Sequence, residues 1–127
     1  DINFRAGAIR QANQKAVPGA APVFVYLFTW NSPVNDGMYK SMHCMELPFV
    51  FDNIARCEEM TGGGKDAYAL ADRMSRAWVA FARTGNPNGG GLPTWKPYTT
   101  RNGETMVLDD APALVNDPDR EARKALA

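Results

Sequence analysis

His43 is the only histidine in this sequence. A neutral imidazole takes up a proton and an imidazolium returns it, so one well-placed histidine can act as general base and then as general acid. It cannot build a histidine metal site alone, and no HxxxH pair or His/Cys cluster accompanies it. Composition alone favours a surface or satisfied core histidine. The address of His43 favours chemistry instead. It lies in Met42-His-Cys-Met-Glu46, on a loop soon after an apolar strand. In open α/β sheets, reactive groups collect on loops beyond the strand C-termini. Glu46 follows three residues later. On a helical turn the two side chains would share a face, with the carboxylate supporting an imidazolium. As the first acid of a helix it would merely complement the helix dipole. The residues leave both readings open.

Nucleophiles are less promising. Ser32, Ser41 and Ser75 are the serines, and none lies in a GxSxG turn. Ser41 would share a strand face with His43, but this matches no triad arrangement. Cys44 adjoins His43, yet adjacent side chains point apart, which argues against a Cys/His dyad. Cys44 and Cys57 lack redox or zinc spacing and are expected as free thiols in or near the core. The run Gly62-Gly-Gly-Lys65 is followed by Asp66 and lacks the upstream glycine of a phosphate loop. Both it and the glycines at 89–91 read as linkers.

The elements that must position these groups follow from pattern. Ile2, Ile9, Ala12 and Ala16 recur at near-helical spacing after Asp1, a suitable cap, and Pro18-Gly19 ends that helix. Val23–Trp30 is apolar, β-branched and aromatic without alternation, which predicts a strand buried on both faces between helices. Residues 31–45 read as loop, with a turn at Asn35-Asp-Gly37, and Glu46–Phe51 as a short helix or buried turn. A helix is predicted from Asp66, its N-cap, to Arg83. Leu70, Ala71, Met74, Ala77, Trp78 and Phe81 form its core stripe, and Gly85 and Pro87 close it. Met106–Leu108 reads as a short strand, and a charged terminal helix begins near Asp117-Pro118.

These elements do not close on themselves. A strand buried on both faces needs neighbours on both edges for its backbone groups, and only one other strand, a short one, is on offer. The chain is therefore expected to complete its sheet with residues upstream or with another chain. It starts at Asp1 without a leader pattern, as an excised or processed piece would.

Three segments then carry a resemblance. His43-Cys-Met-Glu-Leu-Pro-Phe-Val-Phe51 resembles the histidine segment of the type-B carboxylesterases, His-x-x-Glu-(Leu/Ile)-x-Phe-Val-Phe. Trp78-Val-Ala-Phe-Ala-Arg-Thr-Gly-Asn-Pro-Asn88 is similar to that family's Trp-x-x-Phe-Ala-x-x-Gly-x-Pro-Asn. Trp95-Lys-Pro-Tyr98 is similar to its Trp-Pro-x-Tyr, with Lys96 inserted. Val23–Trp30 resembles the strand before the histidine loop, and Asp1–Phe4 the Asp-x-x-Phe that opens the preceding helix. The order and spacing are the family's.

The resemblance implies an α/β-hydrolase fold, of which residues 1–127 would be an incomplete C-terminal part. It implies that His43 is the triad base, taking a proton from a serine that attacks an ester carbonyl and passing it to the leaving alcohol. Glu46 would be the family's supporting buried glutamate, and Met45 a pocket-lining residue. No cofactor or metal is implied. The serine elbow, the oxyanion loop and the acid would all lie upstream, so the isolated chain is expected to be inactive. Its partners would be a small ester substrate and the N-terminal portion of the same protein.

Bulk properties agree with this. With 14 basic and 14 acidic residues the net charge is zero, so no field draws in nucleic acid. The 45% apolar content supports a packed core, and no apolar run nears the roughly 20 residues of a membrane span. The compartment stays open between cytoplasm and exterior. Two other readings remain: a non-catalytic, cholinesterase-like binding or adhesion module, and a small domain that self-associates through an unpaired strand edge.

Overall fold

The structure is a computed structural model that describes residues 4–125; Asp1, the expected helix cap, and Ile2 lie outside the described residues. Its elements run in the order α1 (Arg5–Lys15), β1 (Val25–Phe28), a short turn α2 (Val34–Gly37), α3 (Leu47–Val50), a 3-10 turn (Ile54–Arg56), α4 (Glu58–Thr61), α5 (Lys65–Thr84), β2 (Glu104–Leu108), β3 (Ala113–Asn116) and α6 (Arg120–Ala125). The three strands form one sheet in the order β1-β2-β3. β1 and β2 are parallel, with Tyr26 opposite Met106 and Phe28 opposite Leu108; β2 and β3 are antiparallel.

Side chains along β1 alternate between faces, and this sorts its apolar run. Phe24, Tyr26 and Phe28 share the face toward the helices. Phe24 meets Phe81 at 6.0 Å between ring centroids, Tyr26 meets Trp78 at 5.0 Å and Phe28 meets Phe49 at 5.1 Å. The core beneath them holds Trp30, Phe49, Leu70, Met74 and Met106, all essentially inaccessible. α5 presents Ala67, Leu70, Ala71, Met74 and Ala77 to this core at helical spacing, as expected. It ends as expected too: Gly85 takes the left-handed φ of 74°, and its N–H reaches the Phe81 carbonyl at 2.7 Å.

Four sequence expectations need correcting. The strand is not buried on both faces: Tyr26 is 39% exposed, and the outer edge of β1 has no strand partner among the described residues. The covered strand is β2, which the pattern read as short, because β1 and β3 flank it on both edges. β3 was not expected at all. The cap of α5 is Gly64, with Asp66 one residue inside the first turn. Phe81, at the far end of the stripe, is 47% exposed because the helix outruns the core there.

The glycines at 89–91 are not a mere linker either. Gly90 is buried against α5, and a Cβ there would lie 2.8 Å from the Ala77 nitrogen. Helix backbone cannot yield as a side chain can. Gly90→Ala is expected to cost about 1–3 kcal/mol, read as a lower thermal midpoint. An unchanged melt would mean that the loop moves away freely.

Glu104 opens β2 as a buried carboxylate. Thr99 donates to it through N–H at 2.7 Å and Oγ1 at 2.8 Å, and Asn102 through Nδ2 at 2.9 Å. Burial pushes its pKa up, but the bonds from Asn102, its own backbone and Thr99 outweigh burial, and the net value falls below the ordinary 4.5. A carboxyl held low when folded stabilises fully above its unfolded pKa and stops doing so as pH falls through the folded value. Glu104→Gln is therefore expected to lower the melt at pH 7 by an amount worth about 1–3 kcal/mol. The gap should close as pH is taken below 4.5. A gap that persisted in acid would contradict this.

Candidate active site

β1 ends beneath the histidine loop. Thr29 and Trp30 N–H groups both donate to the Leu108 carbonyl, at 2.9 and 3.2 Å, which fixes where the chain leaves the sheet. Ser32 is buried, its Oγ donating to the Met60 carbonyl at 2.6 Å. The chain then turns through Asn35, Asp36 and Gly37, all with positive φ. It returns at Ser41, whose Oγ donates to the Phe28 carbonyl at 3.1 Å. That bond ties the loop to the carboxyl end of β1 two residues before His43. Ser32 and Ser41 thus have structural duties, as does Ser75, which donates to the Asp72 carbonyl at 3.2 Å.

Beyond Ser41 the backbone tightens. Met45 N–H donates to the Met42 carbonyl at 3.1 Å and Leu47 N–H to the Cys44 carbonyl at 3.2 Å, with Cys44 itself at φ 64°. A residue with a Cβ rarely adopts that conformation. The turn points one residue of this run inward and leaves its neighbours outside. Met45 goes fully into the core, whereas Met42, His43, Cys44 and Glu46 line an open cleft of about 370 Å³ along β1. Met45, the expected pocket residue, lies in the core of this structure, and Met42 lines the cleft. Cys44 is exposed rather than near the core, and Cys57 is half-buried; both are free.

His43 is exposed and makes no hydrogen bond or ion pair among the described residues. Its ring lies 5.3 Å from that of Phe4, tilted by 38°. Glu46 sits just before α3, where its carbonyl receives the N–H groups of Phe49 and Val50, each at 3.0 Å. Its half-buried side chain shares the cleft with His43 without bonding to it. Its charge is felt at Tyr26, whose hydroxyl pKa is raised mainly by burial and then by Glu46. Glu46 thus stands at the start of a short helix and on the wall of the cleft.

The cleft can therefore present an imidazole with neither ring nitrogen bonded among the described residues. Such a group can move a proton for a nucleophile supplied to it. Among the described residues no group of three His, Cys, Asp or Glu side chains could hold a metal, and no helix is long and apolar enough to cross a membrane. A second cavity, about 170 Å³, lies between β1 and α5 against Phe24, Tyr26, Trp78, Phe81 and Trp95. Its wall is almost wholly apolar, and it holds no acid or base apart from Tyr26.

The third motif packs this region from below. Asn88 donates through Nδ2 to the Trp95 carbonyl at 2.9 Å and accepts from the Trp95 N–H at 2.7 Å. Asn88→Asp keeps the acceptor and loses the donor. It is expected to cost about 1 kcal/mol, visible as a small drop in melting temperature; no drop would show the donor to be dispensable.

Comparison with known proteins agrees with this architecture. The model of the carboxylesterase family matches residues 1–126. The chain is 36% identical over 128 aligned residues to a para-nitrobenzyl esterase of Bacillus subtilis, covering 99% of this chain and 25% of that protein. It is 33% identical to a phenmedipham hydrolase of Pseudarthrobacter oxydans, covering 91% of this chain and 24% of that one. Among solved structures, an esterase from Clostridium hathewayi superposes with a TM-score of 0.86 at 27% identity, over 98% of this chain and 24% of its own. A Geobacillus stearothermophilus carboxylesterase does so at 0.81 and 36%, over 98% and 26%. The chain thus spans about a quarter of the length of the relatives it matches. With its α/β-hydrolase architecture and its motifs in order, the chain belongs to the carboxylesterase family.

Proposed function

We propose that this chain supplies the general-base histidine of a carboxylic-ester hydrolase, and that the serine, the acid and the oxyanion donors come from the part of the fold it does not contain. The observation that carries this reading is the place of His43. It is the one histidine of a carboxylesterase-family chain, and it faces an open cleft at the carboxyl end of β1. In this reading the imidazole takes the serine proton as the oxygen attacks the ester carbonyl, then protonates the departing alcohol. A carboxylate from outside the chain bonds the other ring nitrogen and fixes the tautomer. Glu46 lends negative charge to the cleft from one turn away. The substrate class is a small carboxylic ester.

Retention of the histidine speaks against the non-catalytic adhesion module, which has no use for a base there. The test is hydrolysis of a para-nitrophenyl ester by the full-length gene product and by the 127-residue chain. The full-length protein is expected to turn over and the short chain to remain at the buffer rate. Turnover by the short chain that disappears in His43→Ala would overturn the division of labour. An inactive full-length protein lacking a serine elbow would favour the binding module.

A further inference from the structure

The aromatic residue of the opening Asp-x-x-Phe motif has no part in the reaction described above. Phe4 is 73% exposed, more than any other large apolar side chain among the described residues. Its ring nevertheless lies 5.3 Å from His43 and lines the same cleft. Its backbone is held firmly. The Phe4 carbonyl accepts the Ala8 N–H at 2.9 Å as α1 begins, and Arg5, 17% exposed, binds the Asp119 carboxylate at 3.0 Å and the Pro118 carbonyl. The ring is thus presented to His43 from the N-terminal end of α1.

An imidazole forms its hydrogen bonds in the plane of the ring, through its two nitrogens. Its faces stay free to pack. A tilted aromatic contact at this distance can hold one face and leave both nitrogens for proton transfer. We propose that Phe4 is a positioning residue for His43, a wall that limits the swing of the imidazole and keeps it aimed into the cleft. This rests on the reading of His43 as the base.

Two measurements test it. In the full-length protein, the His43 ring protons are expected to resonate upfield through the Phe4 ring current. The shift should vanish in Phe4→Ala and persist in Phe4→Tyr. In the full-length enzyme, Phe4→Ala is expected to lower kcat about tenfold with little change in KM, because a misplaced catalytic group costs rate rather than binding. Phe4→Tyr should restore most of that rate, and the melting temperature should hardly move in either variant. Unchanged His43 resonances in Phe4→Ala would overturn the proposal. So would a kcat loss that tyrosine fails to restore, or a loss confined to KM. Activity surviving in His43→Ala would instead refute the base assignment, while the resonance shifts would still decide whether Phe4 holds the ring.

Discussion

Replacing His43 by alanine in the full-length enzyme is expected to reduce ester turnover by about 10⁴-fold or more. The size follows from the role proposed for His43 as both base and conjugate acid. Without a base the serine oxygen keeps its proton, and without its conjugate acid the alkoxide leaves unassisted, so one deletion removes both transfers. What remains is the contribution of the oxyanion donors and of binding. The stability of the variant should match the parent, because an exposed side chain without hydrogen bonds among the described residues adds little to folding. Steady-state kinetics on a chromogenic ester, beside a thermal melt, checks both halves. A variant that folds and retains a tenth of its activity would show that proton transfer runs through another group.

The second large effect is structural. Phe49 is completely buried, with its ring 5.1 Å from Phe28 and 4.9 Å from Trp30. It fastens the short helix after the histidine loop to the strand before it. Phe49→Ala leaves a void that these rigid neighbours cannot collapse into, and is expected to cost about 3–5 kcal/mol. For a single domain that is a large fraction of the total stability. Chemical denaturation should show the loss as a lower midpoint. A loss under about 1 kcal/mol would mean that Met45 and Met74 refill the space, as flexible thioethers can.

How much of this was legible beforehand depended on the kind of signal. Helical periodicity needs only one buried face, so the stripe on α5 and its closure at Gly85 were readable. The place of His43 after an apolar strand was readable for the same reason: order along the chain survives folding. Strand burial was not, because it depends on neighbours. Val23–Trp30 has the composition of a covered strand, yet the cover on its outer edge is not among the described residues. β3 escaped because Ala113–Asn116 is brief and mostly exposed, and three apolar residues in a row do not distinguish a strand from a loop. The burial of Met45 was not readable because one left-handed residue, Cys44, redirects the side chains after it, and only glycine or asparagine advertises such a turn in sequence. The contact between Phe4 and His43 had one faint signal, the aromatic of an opening motif, and its partner lay too far along the chain to be guessed.

Parallel pairing of β1 with β2 strings everything from Thr29 to Gly103 into one closed circuit, with His43 on it. Closing a circuit that long costs chain entropy before any contact repays it, and such distant pairings form slowly compared with helices. A folding molecule can therefore hold α5 in full while its imidazole still has no fixed address. Conditions that loosen this one strand pairing should displace His43 from the cleft.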